Sequence, residues 1–229
     1  MRHALTLAVA ALLSAPAHAG PTAARFQAER RAAATAVASL GPATTVWPPH
    51  RSRPVAIRNI AVPVSGRTDE ERARRFIALR PALFGSLVET QLRHVETRAT
   101  HDLRAVRLQQ VYRGVEVDGG MIVVTLDGLG RVRAVSSEAE PVGELRVTPS
   151  LAPDTARRIA CRGACTPVHS SLVIVRSPLP RLAYRVPLPI GTDLVGRVCF
   201  VDAQSGELLG CRQTTFVDGL APRHGEVRP

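Results

Sequence analysis

Apolar positions in this chain change period along its length, from helical to alternating and back again, and the changes mark out two units of similar design. The first strongly patterned helix opens at Thr68. Thr68-Asp69-Glu70-Glu71 reads as a capping box, in which the Thr68 oxygen accepts from the Glu71 amide and the Glu71 side chain reaches back. Three acidic residues in the first turn also suit the helix dipole. Ala73, Phe76 and Ile77 then share one face. Pro81 ends or kinks this helix, and Leu83-Phe84-Gly85 follows as an apolar plug. Beyond it the period becomes two. Residues 103–112 form a strand with Val106, Leu108 and Tyr112 on one face, and Arg113-Gly114 turns the chain. A second strand, 115–126, is interrupted at Gly119-Gly120, where a bulge or sharp bend is expected. Residues 121–126 are apolar on both faces, which predicts a central position. Asp127-Gly128-Leu129-Gly130 is a hairpin turn, and 131–137 pairs back as a third strand. Upstream, 53–64 is extended and limited to an edge by Pro63.

The pattern then repeats. After a bridge at 141–149, residues 154–160 form a short helix with Ala156, Ile159 and Ala160 on one side and Pro153 in its first turn. Strands follow at 171–176, 182–188 and 196–202, then a turn at 204–206 and a fourth strand at 207–215. The predicted class is α+β: two consecutive units, each a helix packed on a curled antiparallel sheet. The divisions are 1–19, 20–52 (an Ala/Arg-rich helix and a Pro-rich connector holding the only tryptophan, Trp47), 53–141, 142–215, and a flexible tail at 216–229.

The N-terminus reads as an export signal. Arg2 precedes an apolar run at 5–13 that is too short to span a bilayer, and Ala17-His18-Ala19 fits the small-x-small cleavage rule. Cleavage is expected between Ala19 and Gly20, giving a periplasmic or extracellular protein with no membrane span. Four cysteines in an oxidising compartment suggest two disulfides. Local pairing, Cys161 with Cys165 and Cys199 with Cys211, is the first choice. The rivals are two bridges from the helix end to the hairpin, and a four-cysteine zinc site, although the spacing C-x3-C then C-x11-C is not a familiar knuckle.

Composition adds less. All basic residues are Arg, and the formal net charge is +11. Because Arg alternates with Asp and Glu along the chain and no nucleic-acid motif is present, a generally basic surface is expected rather than a nucleic-acid partner. No nucleophile elbow, phosphate loop or paired acid and base carboxylates occur, so neither catalytic residues nor a cofactor or metal are expected.

The strand-turn-strand text carries a resemblance. Residues 108–120, which include Gln109, Gln110, Tyr112, Gly114, Val117, Gly119 and Gly120, resemble the FQQTYNGVPVFGG signature of the fungalysin/thermolysin propeptide domain. Residues 123–132 look like that family's VHLDADGRV. Phe76 and the Leu83-Phe84-Gly85 triplet match its helix ending in LFG. Further on, 182–186 with Tyr184, and 201–209 with Asp202 and Gly206, look like the PepSY unit that follows in the pro-regions of secreted thermolysin-type metalloproteases. The resemblance implies cystatin-like and PepSY-like units at 53–141 and 142–215, no catalytic residues, and a role in folding and silencing a zinc peptidase. No H-E-x-x-H helix occurs in the sequence. The expected function is therefore a monomeric inhibitor or chaperone acting in trans on a thermolysin-type protease. The alternatives are a truncated precursor of such an enzyme and an envelope module binding an anionic ligand.

Overall fold

The computed structural model describes residues 23–85, 87, 90–162, 169–176, 179–188 and 196–214. The expected cleavage site at Ala19 and Gly20, Cys165 and the tail at 216–229 lie outside them. Helix α1 (Ala23–Ala38) precedes β1 (Thr44–Val46) and β2 (Ala56–Pro63). Next come α2 (Asp69–Ala78), α3 (Pro81–Phe84), β3 (Thr90–Thr100), β4 (Leu103–Tyr112), β5 (Val115–Asp127) and β6 (Arg131–Ser137). The second half holds α4 (Pro153–Cys161), β7 (Ser171–Arg176), β8 (Pro180–Leu188), β9 (Gly196–Asp202) and β10 (Leu208–Thr214).

Local chemistry explains the helix ends. Thr68 caps α2, its hydroxyl accepting from the Glu71 amide at 3.1 Å. The Glu71 carboxylate reaches back one residue further than a capping box requires: it accepts from the Arg67 amide at 2.7 Å, not from Thr68. Pro81 does not merely end α2 but starts α3, where a missing amide costs nothing. Gly85 then leaves that turn at φ 79°. Helix α1 buries only Ala33, as its small side chains dictate.

Two cores form. In the first, α2 and α3 place Phe76, Ile77, Leu83 and Phe84 against Leu108, Ile122, Val124 and Leu126 of β4 and β5. Phe76 and Phe84 meet edge to face with centroids 6.2 Å apart. In the second, α4 sets Ala156 and Ala160 against Ile174, Leu182, Tyr184, Val186 and Val201.

Three expectations are corrected. The two units do not have separate sheets: the described strands form one ten-stranded sheet. Strand β5 is the seam. Its start pairs parallel with β7 (Glu116 with Val173, Val117 with Ile174), and past Gly119-Gly120 it pairs on that side with β6 (from Ile122 with Ser137). Tyr112 does not join Val106 and Leu108 in one core. A register shift between Gln109 and Val111 carries the chain across, and Tyr112 packs with the second core while Val106 and Leu108 pack with the first. The segment expected at an edge is not one: β2 lies between β1 and β6. Asn59 lies at φ 61° within a register shift between Arg58 and Val62, so that Ile57 and Ile60 both face the first core.

Candidate functional site: the connector between the two cores

The side chains singled out in the sequence converge on the backbone between the cores. Gln110 is fully buried and spends its carboxamide on one peptide unit: Nε2 donates to the Glu140 carbonyl at 2.7 Å and Oε1 accepts from the Glu140 amide at 3.3 Å. A buried amide must find both kinds of partner, and here it finds them in the connector. Gln109 closes the bulge. Its Nε2 donates to the Val117 carbonyl at 2.7 Å, to that of Gln110 at 3.1 Å and to that of Gly120 at 3.3 Å. The glycines make this possible. Gly119 takes φ 70°, and a Cβ on Gly120 would lie 2.9 Å from Gln110 Oε1 and 3.0 Å from Val117 Cβ.

Other signature residues fasten the same segment. Tyr112 accepts from the Leu145 amide at 3.5 Å. Arg113 and Gly114, at φ 45° and 84°, make the tight turn between β4 and β5. A Cβ on Gly85 would press on the Pro141 ring and the Arg53 guanidinium, each 3.1 Å away. Tyr184 donates to the Leu151 carbonyl at 2.8 Å, and burial raises its phenol pKa. Asp202 accepts from the amides of Gln204 at 2.9 Å and Ser205 at 2.7 Å and from Arg181 Nε at 2.7 Å. Burial alone would raise its pKa, but these donors outweigh it and hold the carboxyl below its ordinary range. Gly206, at φ 79°, completes that turn beside Ile159. Asp127 does the same work in the first unit. It caps its own hairpin through the Leu129 and Arg131 amides, both at 3.0 Å, and its pKa is likewise lowered against the effect of burial. These residues therefore hold turns, a bulge and a connector. None of the contacts places a nucleophile beside a base.

Cys199 and Cys211 are directly opposed in β9 and β10, with Cα atoms 4.0 Å apart, and are disulfide-bonded. Their sulfurs are thus not available as thiolates to zinc, and the bridge does not run from helix to hairpin. Cys161, at the end of α4, is also disulfide-bonded. Among the described residues no group of three His, Cys, Asp or Glu is placed to hold a metal, and no helix is long and apolar enough to cross a membrane.

Two features escaped the sequence reading. Strand β3 pairs only with β4 among the described strands, so its other edge carries no strand among them, and Val95 stands 49% exposed at a register shift between His94 and Glu96. Beside the connector, a cleft between α1, the 50–54 loop and the 137–143 segment gathers Arg51, Arg53 and Arg176. The arginines carry no motif, being far apart in a chain rich in Arg. In the fold, Glu140 meets Arg51 and Arg176, and Glu29 meets Arg53.

Residues 91–139 match the Fungalysin/Thermolysin Propeptide Motif. That span runs from β3 through the Gln109–Gly120 bulge to the start of the connector, and it supports a thermolysin-type propeptide-like module in this part of the chain, a non-catalytic unit rather than a peptidase domain. No curated protein matches the chain. Among solved structures, the Bacillus megaterium YpeB C-terminal domain is 10% identical with a TM-score of 0.39, covering 82% of this chain and 96% of its own. A Clostridium difficile 630 protein described as a lipoprotein is 12% identical with a TM-score of 0.28, covering 62% of this chain and 92% of its own.

Proposed function

We propose that this protein is an exported propeptide-like module that binds a thermolysin-type zinc metalloprotease and serves it as inhibitor, folding chaperone or both. The observation that carries the reading is the propeptide motif over residues 91–139. Its signature side chains are spent inward, on the bulge and the connector, so recognition falls to surfaces that the motif leaves open. The outer edge of β3 is the foremost of these. An extended segment of the partner adds there as a further strand, its backbone hydrogen-bonding to β3 on that side. Export fits the N-terminal signal read at 1–19 and a motif that takes its name from secreted proteases.

The test uses the protein from Gly20 onward, mixed with a thermolysin-type enzyme. Peptide hydrolysis slows in a saturable manner, or the refolding yield of the denatured enzyme rises. Unchanged hydrolysis together with unchanged refolding at micromolar protein contradicts the proposal. Val95→Asp places a charge on the β3 edge without touching either core, and it weakens both effects while leaving the thermal midpoint near that of the wild type.

A further inference from the structure

The cleft beside the connector has a volume of about 390 Å³ and lies where α1, the 50–54 loop, the 137–143 segment and the start of β8 meet. Four arginines line it, Arg25, Arg51, Arg53 and Arg176, against two glutamates, Glu29 and Glu140. The ion pairs within it are incomplete. Arg51 is shared between Glu140 at 2.9 Å and Glu138, which meets it from outside the cleft at 2.7 Å. Arg53 reaches Glu29 at 3.1 Å, but Glu29 also serves Arg25 at 3.1 Å and the Ser52 hydroxyl at 2.9 Å. Among the described residues Arg176 meets Glu140 at 3.7 Å, a carboxylate already engaged by Arg51, while Glu138 and Asp118 act on it from farther away. The Nε atoms of Arg53 and Arg176 are buried without an acceptor among the described residues. Three half-buried guanidinium groups, those of Arg51, Arg53 and Arg176, thus line the cleft beside two carboxylates, each of which serves more than one donor, while Glu138 supplies a third from outside it.

The arrangement leaves donors to spare: the Nε atoms of Arg53 and Arg176 have no acceptor among the described residues. A guanidinium taken out of water needs compensating charge, and its planar fork suits the two oxygens of a carboxylate or phosphate. Burial, reinforced by the neighbouring Arg51 charge, lowers the pKa of Arg176 against the pull of Glu140. Leu83 and Val142 supply apolar wall beside the charges. The cleft is not a by-product of loose packing, because its geometry is held. The Gln110 carboxamide fixes the Glu140 peptide, and the Arg53 guanidinium lies against Gly85, where a side chain would collide.

We propose that this cleft is a binding site for a small oxyanion, a carboxylate or a phosphate, held by Arg51, Arg53 and Arg176. The inference goes beyond the protease-binding reading and does not depend on it. A bound anion ties α1 and the 50–54 loop to the β7–β8 side of the molecule and so braces both cores against the connector.

The test is calorimetric titration of the protein from Gly20 onward with succinate and, separately, with inorganic phosphate, chloride being adjusted to keep ionic strength constant. At least one anion binds saturably with a dissociation constant of about 1 mM or lower, and whichever binds identifies the source of the oxyanion. Arg176→Gln weakens that binding about ten-fold or more, as loss of a charge-assisted pair requires, whereas Arg58→Gln, an exposed arginine on β2 outside the cleft, leaves it unchanged. Glu140→Gln removes the competing carboxylate while keeping the peptide clamped by Gln110, and it tightens binding about three-fold or more. If Arg176→Gln fails to fold, the Glu140→Gln variant decides. Absence of saturable binding by both anions, unchanged affinity in folded Arg176→Gln, or unchanged or weaker affinity in Glu140→Gln overturns the proposal.

Discussion

Gln110 and Glu140 are thirty positions apart, yet one carboxamide joins them through both a donor and an acceptor. Truncating Gln110 to Ala strands the amide and carbonyl of the Glu140 peptide and costs roughly 2–4 kcal/mol in urea unfolding, the sum of two buried hydrogen bonds left unmade. Asp202 and Asp127 set the acid limit. Their folded pKa values lie below those of an unfolded aspartate, so their contribution is complete above about pH 4 and disappears as the pH falls through the lower folded values. Asp202→Asn keeps an oxygen for the turn amides but loses its charge toward Arg181. The stability gap between wild type and this variant is therefore widest above about pH 4 and closes as the pH falls below it through the lowered folded pKa in urea titrations. Residues of this kind were legible in the sequence by their type and order, since glycines, glutamines and aspartates at turns are distinctive. What they touch was not legible, because a glutamine in a strand gives no sign that its partner lies in a connector thirty positions later.

At the scale of elements, the strands and helices with a buried face were readable and those without one were not. Helix α2 showed its face through Ala73, Phe76 and Ile77, and all three are buried. Strand β3 did not, because it lies at an edge and its sequence, TQLRHVETRAT, supplies only Leu92 to a core while the rest stays half or fully exposed. The three-residue β1 is too short to show any period. The joining of the two units into one sheet was hidden for a different reason. Gly119-Gly120 marked a bend, but a bend does not announce that the strand changes neighbours there. The β9–β10 bridge closes a loop of twelve residues. Replacing Cys199 and Cys211 together with Ser costs about 2–3 kcal/mol, measured by calorimetry, and β10, an edge strand, is where amide exchange quickens first.

For the whole molecule, β5 is the decisive element. It gives Val117 to the second core and Ile122, Val124 and Leu126 to the first, and it hydrogen-bonds on both sides. Two units joined by a common strand unfold together. Trp47 fluorescence, reporting beside α1, and far-UV circular dichroism lose their signals at one midpoint, and Val117→Ala moves both probes by the same amount. Separated midpoints show instead that the cores are independent.

Binding to a thermolysin-type metalloprotease is the claim on which the functional account stands. The most direct measurement is size-exclusion chromatography with light scattering on an equimolar mixture of such an enzyme and this protein from Gly20 onward. Run beside it is the Val95→Asp variant, whose β3 edge is blocked. The wild type is expected to elute as a discrete complex with the enzyme, and the variant in separate peaks. Separate peaks for both proteins at micromolar concentration contradict that claim.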